Sequence, residues 1–92
     1  MIKEIKEWTK IFKGFGNENR LKIIKILYSA KELPVNEIAA KIQLSLKSTS
    51  KHLIQFSQLN ILESEGKKGQ VYYRLNSGIE PKIVGIIRII FP

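Results

Sequence analysis

A chain of 92 residues with 16 Lys and Arg, eight Glu and a net charge of +8 favours polyanionic partners, nucleic acid before an anionic membrane surface. So short a chain buries a modest fraction of its unfolded surface, so we expect one domain over residues 1–92 that gains stability by association of subunits. The absence of Cys and Asp, with a single His, excludes disulfides, thiolate catalysis and the common zinc and iron-sulfur ligand sets.

Residues 2–15 have the 3.6-residue period of an amphipathic helix, with Ile5, Trp8 and Phe12 on one side and lysines on the other. This apolar stripe fits a helix packed on the domain core or on a second subunit. A Lys-rich face opposite Trp and Phe also fits an interfacial membrane helix, which we consider the weaker interpretation. The first 12 residues mix charges into the apolar positions, which argues against a secretory signal and predicts a cytoplasmic protein.

The next three elements are predicted to be helices. One runs from about 18 to 30 after the N-cap Asn17, one begins near Pro34, and one runs from 46 to 59 after the N-cap Ser45. The last two are separated by three or four residues, a spacing that predicts a helix-turn-helix. The side chains expected to face inward on the first two are Leu21, Ile24, Leu27, Tyr28, Ile38, Ala39 and Ile42.

The fourth helix has two contrasting faces. The face predicted to be buried comprises Leu46, Thr49, Leu53 and Phe56. The opposite face comprises Lys47, Ser48, Lys51, Gln55 and Gln58. Lys and Gln side chains can bond base edges in a major groove, whereas Ser50 and His52 lie at the boundaries, where phosphate walls would be met. We predict that this face binds duplex DNA, although many exposed polar faces are simply solvated.

From residue 61 to 75 the pattern alternates between apolar and polar residues and predicts a β-hairpin, the wing. Its glycine-flanked tip carries Lys67 and Lys68, a cationic finger suited to the flanking DNA backbone or minor groove. Arg74 is a weaker candidate, because it could equally face solvent or pair with a glutamate of the first strand.

Residues 81–91 form the last element and are apolar nearly all round. Their β-branched content suits a strand as well as a helix, and such a run must be covered, most simply by a second copy of the chain. This apolar segment is about half the length needed to span a bilayer, and it contains Arg88. The expected fold is mainly α with a small β-hairpin, a winged helix-turn-helix of order α1-α2-α3-α4-β-β-α5.

Catalysis and metal binding are both disfavoured by the residues available. Ser48 and His52 are four apart on one helix and could touch, but no Asp exists to orient the imidazole and the helix face would be convex and wet. One His with scattered Glu cannot supply a closed metal shell within a subunit. We therefore predict neither enzymatic activity nor a cofactor.

Three stretches, residues 12–27, 32–62 and 65–75, resemble the ArsR/SmtB type of winged-helix transcriptional repressor. The motifs that carry the resemblance are Gly16-Asn17 with Arg20-Leu21, Ser50 with His52-Leu53, and Tyr72-Tyr73-Arg74-Leu75. The resemblance implies a homodimer joined through helices 2–15 and 81–91, with each fourth helix in a major groove and the wings over adjacent backbone. The dimer-interface residues assigned in this way are Ile5, Trp8, Phe12, Ile83, Ile86, Ile87 and Ile90.

The sequence departs from the family pattern at several positions. Family members often sense metals through cysteines near helix 3 or through His and acidic ligands in the last helix. Pro34 and Asn36 occupy the former positions and the tail has no His or Asp, which predicts no metal sensing. Gln43 and Asn60 replace the usual glycines, and Gln43 is the less suited to a left-handed conformation. The leading hypothesis is a homodimeric, double-stranded DNA-binding repressor; the alternative is a winged helix that contacts other proteins in a larger assembly.

Overall fold

The computed structural model describes residues 2–92, with side chains from Glu4 onward. Within that range the helices are α1 (Ile2–Phe15), α2 (Glu18–Ser29), α3 (Val35–Ile42), α4 (Leu46–Gln58) and α5 (Pro81–Ile90). The strands are β1 (Leu33–Pro34), β2 (Leu62–Lys67) and β3 (Gln70–Leu75). The predicted winged helix-turn-helix is confirmed, and residues 81–91, for which strand and helix were both considered, are helical up to Ile90.

The sheet has one strand more than the predicted hairpin. β2 and β3 pair antiparallel, and β1 adds to the other side of β3, with Leu33 opposite Tyr73 and Pro34 opposite Tyr72, which gives the order β1-β3-β2. A two-residue strand ending in proline has no periodicity of its own. Proline is tolerated in it because β1 lies at the edge of the sheet.

The core forms where α2, α3 and α4 pack against the inner side of the sheet and α5 packs against α2. Its buried side chains are Phe15, Ile23, Ile24, Leu27, Ile38, Ala39, Ile42, Leu53, Phe56, Ile61, Leu62, Tyr73, Ile83 and Ile87. The inward face predicted for α3 is confirmed. On α2 the prediction omitted Ile23, which is fully buried, and included Leu21 and Tyr28, which are half-buried.

The ends of α4 are fixed by local hydrogen bonds that the sequence encodes. The Ser45 hydroxyl accepts from the Ser48 amide at 3.1 Å, so the predicted N-cap is confirmed. Gln43 ends α3 in the left-handed conformation, with φ 55° and ψ 48°, and its amide donates to Ala39 and Ala40. Asn60 takes the same conformation after α4, with φ 59°. The helix-turn-helix therefore keeps its geometry despite lacking glycine at both positions.

The two terminal helices bury different fractions of their apolar residues. Ile83 and Ile87 of α5 are 2 % and 1 % exposed because they pack into the core of the protomer itself. Their assignment to a dimer interface is therefore wrong, since almost none of their surface is left for a second copy. On α1 Ile5 is 67 % and Phe12 is 55 % exposed, and Trp8 is half-buried beside Phe12 with the ring centroids 5.9 Å apart.

Candidate nucleic-acid interface

The outward face of α4 is open to solvent. Its exposed side chains are Lys47, Lys51, Gln55 and Gln58. Ser48, Ser50 and His52 are half-buried at the edges, while Thr49, Leu53 and Phe56 are buried beneath. The predicted division of the helix into two faces is confirmed for these residues except Ser48, which was assigned to the outward face and is half-buried. Leu46 was assigned to the inner face but is 56 % exposed, because it occupies the first turn, beyond the reach of the core.

The wing ends in a two-residue turn. Lys67 pairs with Gln70 in the last rung of the hairpin, and Lys68 and Gly69 between them both have positive φ, at 53° and 71°. Positive φ at both central residues is the requirement of a type I′ turn, whose twist matches that of the strands. Lys67, which was predicted to belong to the glycine-flanked tip, is therefore the last residue of β2. Lys68 stands at its end and is exposed.

Lys67 is less exposed than Lys68 and is held by other side chains. It is half-buried, its ammonium group donates to Glu32 in the connection between α2 and β1, and it lies 4.9 Å from the centroid of the Tyr72 ring. The hydrogen bond to Glu32 is the chief cause that raises the pKa of Lys67, and in return it holds the pKa of Glu32 below its ordinary value. Lys67 thus ties the wing to the body of the domain.

Arg74 extends this connection along the wing. Its Nε donates to Glu63 at 2.7 Å, and its Nη1 donates to Glu65 at 3.0 Å and to Glu32 at 3.4 Å. The pairing with strand glutamates that was considered for Arg74 is confirmed. The Ser77 amide and Arg74 both donate to Glu63 and lower the pKa of that carboxyl group. We name Glu32, Glu63, Glu65, Lys67 and Arg74 the wing anchor.

An open apolar cleft separates the wing from the first turns of α4. It is lined by Val35, Asn36, Leu46, Ser50, Gln70 and Val71. Leu46 and Val71 are exposed there, and Ile54, two turns along α4 from Leu46, is 50 % exposed. Leu46, Ser50 and Ile54 recur every four residues, so they form one stripe on the wing side of the polar face. This stripe was not predicted from the sequence, because Leu46 was assigned to the buried face of α4 and Ile54 was assigned to neither face.

On the opposite side of α4, His52 is held by Arg20. The Nε of Arg20 donates to Nδ1 of His52 at 3.1 Å, and the cap residue Asn17 fixes the start of α2 by accepting from the Arg20 amide. Burial, and secondarily the charge of Arg20, lower the pKa of His52. The ring is therefore a neutral acceptor towards α2. The ring in turn holds the Arg20 guanidinium group beside α4.

The donor sets for metals are poor within residues 4–92. No group of three or more His, Cys and Glu side chains there could hold a metal ion. Pro34 and Asn36, which stand where a thiolate pair would be needed at the start of α3, offer no thiolate. In the same part of the chain no helix has both the length and the apolar character needed to cross a bilayer.

Comparison with known proteins identifies the chain. No protein-family model matches it. It is 40 % identical over 62 residues to the cadmium resistance transcriptional regulatory protein CadC of Listeria innocua, a match covering 67 % of this chain and 52 % of CadC. It is 30 % identical over 83 residues to the transcriptional repressor PagR of Bacillus anthracis, which covers 90 % of this chain and 80 % of PagR. The chain belongs to the ArsR/SmtB family of winged-helix regulators.

Solved structures of ArsR/SmtB regulators and their relatives share the fold. HlyU of Vibrio cholerae superposes with a TM-score of 0.84 at 26 % identity, covering 98 % of this chain and 94 % of HlyU. The PagR crystal structure gives 0.81 at 27 % identity, covering 98 % and 99 %. Mb0332 of Mycobacterium bovis, described as a homodimeric winged helix-turn-helix domain, gives 0.83 at 19 % identity, covers 97 % and 82 %, and supports the fold alone. The chain spans about half the length of CadC.

Proposed function

We propose that this ArsR/SmtB-family chain is a sequence-specific, double-stranded DNA-binding transcriptional repressor that acts as a homodimer in the cytoplasm. The observation that carries the proposal is the exposed polar face of α4, which has Lys47, Lys51 and Gln55 on a helix whose other face is sunk in the core. A helix fits a major groove, and these side chains carry the donors and acceptors that base edges match.

The residues divide into base-reading and backbone-binding groups. Lys51 and Gln55 lie at the middle of the outward face and are assigned to base edges, with Lys47 beside them. Ser48, Ser50 and His52 lie at the margins and are assigned to phosphates, as is Lys68 at the wing tip. Lys67 contributes through the position of the wing, because its ammonium group is already bonded to Glu32.

A dimer is supported by the apolar surface that one protomer leaves uncovered. On α1 this surface is Ile5 and Phe12 with the half-buried Trp8, and on α5 it is Ile89, 82 % exposed, and Ile90 with the half-buried Ile86. Two-fold association would cover it and would present two copies of α4 to one duplex. The proposed interface thus keeps α1 and α5 but replaces Ile83 and Ile87 with Ile89.

The proposal includes repression that does not respond to metal ions. CadC is named a cadmium resistance transcriptional regulatory protein and PagR a transcriptional repressor. The donor set described above lacks the thiolates and histidines that would bind a soft metal in this chain. We expect operator affinity to be unchanged by Zn²⁺ or Cd²⁺ at micromolar concentrations, as measured by fluorescence anisotropy.

The function is tested by selecting bound duplexes from a random DNA library at moderate salt, with molecular mass measured in parallel by light scattering. We expect an inverted repeat and a dimer. Lys51→Ala should cost about 1–3 kcal/mol on the selected duplex and relax its base preference. Lys68→Ala should weaken selected and scrambled duplexes alike. Failure to enrich any sequence, combined with capture of a specific protein partner, would favour the protein-docking alternative.

A further inference from the structure

A basic groove lies on the side of α4 that faces away from the wing. Its volume is about 340 Å³ and it opens between the end of α1, the start of α2 and the second half of α4. The residues that line it are Lys10, Lys13, Gly14, Arg20, Gln55, Gln58 and Leu59. Three of them are cations and two are amides, and none is acidic.

These cations lack an acidic partner among the described side chains. Over the residues whose side chains are described, every salt bridge involves Lys67 or Arg74 of the wing anchor, so Lys10, Lys13 and Arg20 have no carboxylate within 4 Å. Three positive charges lining one groove repel each other, and an anion placed among them would relieve that repulsion. The contrast with the wing is informative, because there the chain neutralises its own cations and here it does not.

Arg20 is held in place for such an anion. Its Nε donates to Nδ1 of His52 at 3.1 Å and its Nη1 reaches the carbonyl oxygen of Lys13 at 3.5 Å. These two contacts link α2 to α4 and to the end of α1. Among the residues whose side chains are described, none accepts a hydrogen bond from the Nη2 donors. A guanidinium group restrained at two points loses less side-chain entropy when it binds an anion than a free lysine does.

The groove is continuous with the proposed DNA surface. Gln55 and Gln58 belong both to the outward face of α4 and to the lining of the groove. Gly14 lets α1 end close against α4, since a Cβ atom there would lie 3.0 Å from Cδ1 of Leu59. The lysines of α1 are thereby brought alongside the helix. A helix in a major groove has a phosphate wall on each side, and the wing covers only one of them.

We propose that this basic groove binds a backbone phosphate of the duplex, on the strand opposite the one that the wing contacts. The inference rests on the proposed function and extends the interface to three elements of each protomer: wing, α4 and the junction of α1 with α2. Lys10 and Lys13 supply charge, and Arg20 supplies oriented hydrogen-bond donors. The contribution to binding is independent of base sequence and depends on salt.

The test uses Lys13→Gln with Lys22→Gln as its control. Both lysines are exposed and both variants remove one charge, but Lys22 lies roughly 160° around α2 from Arg20 and outside the groove. Binding of each dimer to the selected duplex is measured by fluorescence anisotropy from low to moderate salt. We expect Lys13→Gln to reduce the slope of log affinity against log salt by about 0.9 per subunit, and Lys22→Gln to leave it near the wild-type value.

A matched change in the DNA makes the test specific. Single methylphosphonate linkages, which remove one phosphate charge, are placed along the duplex flanking each half-site. At the linkage whose phosphate the groove binds, the methylphosphonate should weaken binding by the wild type. The same linkage should have little effect on Lys13→Gln and Arg20→Gln, because these variants already lack part of the contact. Equal salt slopes for Lys13→Gln and Lys22→Gln, with reduced duplex affinity for Lys51→Ala, would refute phosphate binding by the groove. The proposed function would not be affected by that result. A wild type that binds no duplex would overturn both.

Discussion

The hydroxyl group of Thr49 gives a sharp test of how α4 is packed. Thr49 is fully buried on the inner face of α4, and its Oγ1 has no hydrogen-bond partner among the described residues. Burying an unpaired hydroxyl costs about 1–3 kcal/mol, whereas a valine methyl group of nearly the same shape carries no such penalty. We expect Thr49→Val to raise the free energy of unfolding by about 1–2 kcal/mol.

The change is measured by urea and thermal denaturation followed by circular dichroism at fixed protein concentration. For a domain of this size the melting temperature should rise by about 4–8 °C per kcal/mol. Thr49→Ser is the matched control, since it keeps the hydroxyl and deletes the methyl, and it should lower stability by about 1 kcal/mol. A Thr49→Val protein that melts below the wild type would show that the hydroxyl is bonded and that the packing of α4 is misassigned. DNA affinity should be unchanged, because the residue faces inward.

Three further predictions concern the margins of the interface. Because the pKa of His52 is lowered by burial and by Arg20, the unfolded chain binds a proton more readily, so stability should fall as pH drops below the ordinary value of 6.5. His52→Gln should flatten the melting temperature between pH 7.5 and 5.5, and an equal pH dependence in both proteins would contradict this. Glu32→Gln should release Lys67 from its ion pair, remove the longest of the three carboxylate contacts of Arg74, and so accelerate amide hydrogen exchange in β2 and β3. Glu37→Gln is the exposed control, and unchanged exchange in Glu32→Gln would refute the wing anchor. Replacing a single thymine of the selected duplex by uracil removes its methyl group, so it should weaken binding of the wild type wherever Leu46 or Ile54 touches that thymine. At the thymine that Ile54 touches, the same replacement should not change the affinity of Ile54→Ala.

The sequence was most informative where periodicity and caps agree. Asn17 and Ser45 were predicted as the N-caps of α2 and α4, and both form the capping hydrogen bond. The separation of Lys51 from Leu53 on α4 follows from the 3.6-residue period alone. Such local rules predicted the first four helices and the hairpin, because each of these elements is specified by residues within it. They left residues 81–91 open between strand and helix, and the structure shows a helix there.

Tertiary packing determines which face of α5 is buried and which distant residues pair, and local rules could not predict either. Ile83 and Ile87 look the same in the sequence as Ile89, yet the former pack into the protomer core and the latter is exposed, because only the position of α5 against α2 distinguishes its faces. Glu32 could not be assigned to Lys67, since 35 residues separate them and the contact forms only after β1 joins the sheet. The groove at Arg20 likewise requires three elements to meet.

The central claim is that the outward face of α4 enters a duplex groove with the wing beside it. Titrating ¹⁵N-labelled protein with the selected duplex and following the amide chemical shifts tests this directly. We predict that the largest changes fall on residues 47–55 and on Lys68, and that the apolar residues of α5 change little. Shifts concentrated on α5 or on the outer face of the sheet, with Lys47 and Lys51 unmoved, would contradict the account.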